Sequence, residues 1–145
     1  MGRISIKGVL IGGVVDIGTS VVFGSMYGIY AILKLGLAHA SHEQAAKGLL
    51  QSVPIYLGYL AIGFACSVLG GYIAGRIAKH DELLNGTLSS FLCLSLGIFT
   101  LFSGNDSHPF VVKILLEIAS PTLGLFGGYL ALLRRRTNTT SELTA

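Results

Sequence analysis

Four long apolar stretches constrain what this chain can fold into. Gly8–Leu33 is bounded by Lys7 and Lys34 and carries one acid, Asp16. Val53–Gly75 is uncharged up to Arg76, and Leu83–Phe102 is uncharged throughout. The fourth stretch, Ile114–Leu133, stops at Arg134-Arg135-Arg136. A helix needs about 20 apolar residues to cross the hydrocarbon of a bilayer, and each stretch reaches that length. The apolar residues run on without alternating, which selects helices over barrel strands. The expected fold is an all-α membrane protein with four transmembrane helices, at approximately 8–33, 53–75, 83–102 and 114–133, bundled in one membrane domain over 1–145.

Composition agrees with that expectation. Charged residues make up 12% of the chain, about half the roughly 25% of soluble proteins, and too few to cover a soluble surface. An apolar share of 52% excludes disorder. The 20 glycines have no three-residue period, which excludes collagen. Cys66 and Cys93 match no metal or redox spacing and read as small buried hydrophobes. The first stretch is expected to be a retained helix and not a secretory signal, because its 26 residues exceed the roughly 7–15 of a signal core.

Basic residues set the orientation. Arg3, Lys7, Arg76, Lys79, Arg134, Arg135 and Arg136 fall on one side of the four spans, and Lys34, Lys47 and Lys113 on the other. This division of seven to three places both termini and the middle loop in the cytoplasm. In the first outer loop, Ser41-His42-Glu43-Gln44 has capping-box spacing, so a short helix is expected to start there. Pro54 either kinks that helix or begins the second span, and Pro121 is expected to kink the fourth. The polar tail from Thr137 is expected to fray.

Helices in lipid associate through close contact of small residues, and such residues recur here at intervals of four. The rows are Gly8, Gly12, Asp16, Ser20, Gly24 and Gly28 in the first span, and Gly63, Ser67, Gly71 and Gly75 in the second. The third has Asn85, Ser89, Cys93 and Gly97, and the fourth has Ser120, Gly124 and Gly128. Each row drifts about 40° per step and so forms an oblique ridge suited to crossed contacts. Gly70-Gly71-Tyr72-Ile73-Ala74 and Gly127-Gly128-Tyr129-Leu130-Ala131 close the second and fourth spans. They are readable as a parallel internal duplication or as independent uses of Gly-Gly for close approach with Tyr at the headgroups.

The run Gly70-Gly71-Tyr72-Ile73-Ala74-Gly75-Arg76-Ile77-Ala78-Lys79, followed by Glu82-Leu83-Leu84-Asn85-Gly86, resembles small four-span bacterial membrane proteins of uncharacterised function. Those carry a Gly-Gly-aromatic-x-Ala-Gly run before a basic loop and a polar-Gly start to the third helix. The resemblance covers the second and third spans. It implies a bacterial cytoplasmic (inner) membrane and implies no activity.

Asp16 is the sharpest candidate for chemistry. A carboxylate within a span costs about 2.5–3.5 kcal/mol on insertion scales, so it must be protonated, paired or hydrated. Two readings stand: a proton or cation site assisted by Thr19 and Ser20, or an ion-pair anchor to Arg76 or Lys79 near the cytoplasmic end. The layout is similar to the small multidrug transporters, with four short spans and an acid in the first. It departs from them in having Asp in place of Glu, no aromatic cage evident beside the acid, and a strong charge bias. Lys113 and Glu117, four residues apart, are expected to form a structural ion pair. His39, His42, Glu43, Asp106 and His108 lie in outer loops without converging metal-ligand spacing. No nucleophile, phosphate-loop or dinucleotide motif is present, so no enzyme activity and no cofactor are expected. The Arg134–Arg136 cluster reads as an orientation anchor drawn to anionic lipid, with no nucleic-acid role. The expected partners are the bilayer and either a second copy or another membrane protein. The leading functional expectation is a non-enzymatic structural or accessory membrane protein. The alternatives are a small proton-coupled transporter or channel using Asp16, and a holin-like permeabilising oligomer.

Overall fold

A computed structural model describes residues 4–102 and 110–143, with the side chains at 96, 97, 100–102, 110–117 and 138–143 outside the description. Every regular element among the described residues is a helix: α1 (Ile6–Lys34), α2 (His42–Gln51), α3 (Val53–Ala78), α4 (Glu82–Phe102) and α5 (Phe110–Leu143). Two of them, α1 and α3, are long and apolar enough to cross a membrane, with mean hydropathies of 1.7 and 1.8.

The helix ends follow local chemistry. Ser5 caps α1 by accepting from the Gly8 N–H at 3.2 Å. Gly36 closes it at φ +68, a left-handed turn in which Leu37 N–H donates to Ile32 O and Gly36 N–H to Leu33 O. The expected capping box opens α2: Ser41 Oγ accepts from Gln44 N–H at 3.4 Å, and Gln44 Oε1 accepts from Ser41 N–H at 3.2 Å. Pro54 lies in the first turn of α3, where its missing N–H costs no helical bond, so it begins the span instead of kinking α2. The fraying expected of the tail is not observed: α5 continues to Leu143. From Arg134 to that point the chain has neither Gly nor Pro to stop it.

Packing is inverted relative to a water-soluble domain. The largest fully buried side chains are Asn85, Ser89 and Ser90, and the buried apolar ones are mostly alanines. Val14, Val22, Phe23, Met26 and Ile29 on α1, and Val53 and Leu57 on α3, are all more than half exposed. Only 17% of each candidate span's apolar window is buried, whereas the core helix of a soluble protein is mostly covered. Small residues inside and bulky apolar residues outside are what packing in lipid requires.

The helices form a rhombus. α3 touches α1, α4 and α5, and α4 touches α1 and α5, while α1 and α5 make no mutual contact among the described residues. Glycines allow this closeness. A Cβ on Gly12 would stand 2.6 Å from Ala74 Cβ and 2.7 Å from Gly70 O. Gly8 meets Ala74 O on the same α1–α3 seam. On the α3–α5 seam Gly71 lies against the backbone of Gly124, and on the α4–α5 seam Gly86 lies against the backbone of Gly124 and Gly128, and Gly128 against that of Glu82 and Leu83. Gly75 packs beside Ala131 and Glu82.

Two members of the expected rows do not take part. A Cβ added at Gly24 or Gly63 would meet nothing within 4 Å. The cause is the drift of the row: four steps from Gly8 to Gly24 turn about 160° around the helix and leave the contact face. Gly28 returns to contact because the Tyr59 hydroxyl reaches it, 2.6 Å from where a Cβ would be. The two Gly-Gly-Tyr motifs are also used differently. Gly70 faces α1 and Gly71 faces α5, whereas Gly127 faces α3 and Gly128 faces α4. An exchange of the pair α1–α3 with α4–α5 would reverse the last two, so the five-residue match does not mark equivalent positions.

Candidate functional site: a polar centre at mid-depth

Asp16 is 2% exposed. Its carboxylate accepts from Ser67 Oγ on α3 at 3.3 Å and from Cys93 Sγ on α4 at 3.1 Å. Three helices therefore converge on one acid. Asp16 lies ten residues from the start of α1, Ser67 eleven from the end of α3 and Cys93 eleven from the start of α4. At 1.5 Å per residue all three sit about 15–17 Å from the same end of the bundle.

Close backbone approach below the acid makes this convergence possible. The carbonyl of Gly12 comes within 2.8 Å of where a Gly70 Cβ would be, and Asp16 Cβ within 2.6 Å. Beyond this contact the helices part and leave an open cleft of about 360 Å³. Its polar wall is Asp16, Ser20, Tyr59, Ser67, Cys93 and Ser120; Ile17, Leu60, Phe64 and Leu123 form much of the rest. A volume of this size matches the small end of ligand pockets, about 300–1,000 Å³. Ser120 Oγ is buried without a hydrogen-bond partner, and it sits beside Pro121, the proline inside α5. Tyr59 packs edge-on against Tyr27, ring centroids 5.0 Å apart, and Tyr27 lies 5.9 Å from Tyr30.

The ion pair expected between Asp16 and Arg76 is not formed. Arg76 Nη1 donates instead to the Tyr72 hydroxyl at 3.1 Å. Arg76 is six residues beyond Gly70, which packs against Asp16, and so about 9 Å nearer the end of the bundle. Lys79 is exposed in the turn after α3 and does not reach the acid either. The groups on Asp16 (Ser67, Cys93 and the Ser20 hydroxyl one turn along α1) are all neutral. Cys93, read from sequence as a packing residue, is one of them. The side chains of Lys113 and Glu117 lie outside the described residues, as do Asp106 and His108. No three His, Cys, Asp or Glu side chains gather as metal ligands among the described residues.

A second polar assembly closes the basic end. The α3–α4 turn holds Lys79 at φ 57 and Asp81 at φ 45, a conformation unfavourable for residues other than glycine. Side chains hold it in place. Asn85 Nδ2 donates to His80 O at 3.1 Å and Asp81 O at 3.0 Å, while its Oδ1 accepts from Ser5 N–H at 2.7 Å. Arg135 donates to Lys79 O and, at 2.7 Å, to the buried carboxylate of Glu82. Arg134 Nη1 donates to Tyr72 at 3.1 Å. These contacts gather Lys7, Arg76, Lys79 and Arg134–Arg136 at one end. Sequence reasoning missed Glu82. It noted Asn85 in a packing row and in the polar-Gly start of the third helix, and assigned it no hydrogen-bonding role.

The fold and this centre define the class as an α-helical bundle with an apolar exterior and an acid at its polar heart. No family model matches the chain, and no curated protein or solved structure is similar to it.

Proposed function

We propose that this protein is a four-span membrane protein of the bacterial cytoplasmic membrane, crossing with α1, α3, α4 and α5 and keeping both termini inside. In this reading it is a small transporter or channel in which Asp16 holds a proton or small cation. The observation that carries the reading is the environment of Asp16: a buried acid at mid-depth, bonded to Ser67 and Cys93 and lining an open cleft. A carboxylate in such a place needs a proton or a counter-charge, and neither donor supplies a charge. Ser20, Ser67 and Ser120 offer further oxygen ligands to an incoming cation. Concentration of basic residues at one end supports the orientation.

A purely structural or accessory role, in which Asp16 anchors α1 to Arg76, has less support, because Arg76 is engaged by Tyr72. The discriminating experiment is Asp16→Asn in proteoliposomes carrying an imposed pH gradient, with an internal pH dye. The wild type is expected to dissipate the gradient faster than Asp16→Asn, which should match empty vesicles while keeping its helix content. Equal rates for the two proteins would reject the proposal.

A further inference from the structure

We infer that Arg76 and Arg134 form a site for the phosphodiester headgroup of an anionic lipid, at the basic end of the seam between α3 and α5. Both guanidinium groups donate to one atom, the Tyr72 phenol oxygen, at 3.1 Å each. Their donor nitrogens are therefore at most about 6 Å apart. Both side chains are exposed. Among the described residues neither forms an ion pair with an acid, and the buried carboxylate at this end, Glu82, is taken by Arg135. A neutral phenol holds the two cations together without balancing them. An anion with several acceptor oxygens balances both, and guanidinium groups bind phosphate through paired N–H donors.

The surroundings select a lipid as the source of that phosphate. Leu69 lies seven residues before Arg76, and Leu130 and Phe126 lie four and eight before Arg134. Helical spacing puts each on the arginine-bearing side of its helix. All three are more than a third exposed. An apolar strip leading away from a cationic pair fits a headgroup with acyl chains attached, and a free phosphate would leave the strip uncovered. The inference rests on the membrane-embedded reading and not on Asp16, so its failure would leave the Asp16 proposal standing.

The test uses the full-length protein in phosphatidylcholine bilayers, with spin-labelled phosphatidylglycerol or phosphatidylcholine as probe. The wild type is expected to prefer the anionic probe. Arg76→Gln with Arg134→Gln should lower that preference by roughly fivefold per arginine. Lys7→Gln with Lys79→Gln, which removes equal charge at the same end, should lower it less. Arg76→Lys with Arg134→Lys keeps the charge and the fold, and should lose part of the preference because an ammonium lacks the guanidinium fork. An unchanged preference in either arginine double variant, or an equal loss from the lysine pair, overturns the site. Displacement by millimolar glycerol phosphate makes it a site for free phosphate and overturns the lipid assignment.

Discussion

Replacing Gly12 by alanine tests whether backbone contact holds α1 to α3. The new Cβ would stand 2.6 Å from Ala74 Cβ and 2.7 Å from Gly70 O, while carbon atoms rest at about 3.5–4.0 Å. The shortfall is about 1 Å, and one of the opposing atoms is main chain, which cannot rotate away. The helices must separate there, and the 3.3 Å bond from Ser67 to Asp16 one turn further on would stretch beyond hydrogen-bond range. Overpacking costs about 1–3 kcal/mol, and removing a helical glycine returns up to about 1 kcal/mol. The net expectation is a loss of roughly 1–2 kcal/mol. Gly24→Ala makes no contact and should keep the propensity gain of up to about 1 kcal/mol. Unfolding by dodecyl sulfate in mixed micelles, followed by far-ultraviolet circular dichroism, reads both variants. Shifts of the two in the same direction, or a Gly12→Ala protein as stable as wild type, would refute the packing argument.

Other perturbations separate the remaining parts. Arg135→Gln should destabilise more than Glu82→Gln, because it leaves the Glu82 carboxylate buried and unpaired. The difference should be about 1–2 kcal/mol in the same unfolding assay, reduced by the solvent around the exposed arginine. Asn85→Ala should cost about 2 kcal/mol, since Ser5 N–H and the His80 carbonyl lose their partner together, while the Asp81 carbonyl keeps the Asn85 backbone N–H; an unchanged midpoint would remove Asn85 from the account of the α3–α4 turn. Ser41→Ala should weaken α2 by about 1 kcal/mol, visible as faster amide exchange in His42–Gln51 with α1 and α3 unaffected.

Local signals in the sequence survived folding, and positional ones did so only partly. The α2 capping box depends on four consecutive residues and was legible for that reason. The apolar stretches announced the long helices, because continuous hydrophobicity has no other use at that length. The glycine rows were legible near the basic end, where Gly8, Gly12, Gly71, Gly75, Gly124 and Gly128 all meet neighbouring helices. They failed at Gly24 and Gly63, where a fixed interval outruns the contact face. Asp16 stood out as an acid inside an apolar stretch, and Ser20 lies one turn on, but the partners on α3 and α4 are 51 and 77 residues away. Ser67 and Cys93 look like any other small residues in a row until the helix register is known. The Asp16–Arg76 expectation had the right end of the bundle and the wrong depth. Tyr59 was invisible as part of the same cleft wall for a related reason: nothing local says which face of α3 turns toward α1.

The most direct test of the central claim is chemical modification of Asp16 in native membranes with dicyclohexylcarbodiimide, which reacts with carboxyl groups that carry a proton. Mass spectrometry should find the adduct on Asp16 in the wild type, with its yield unchanged by Arg76→Gln. A wild-type chain left unmodified at Asp16, with modification appearing once Arg76 is replaced, would show an ion-paired anchor and contradict the account.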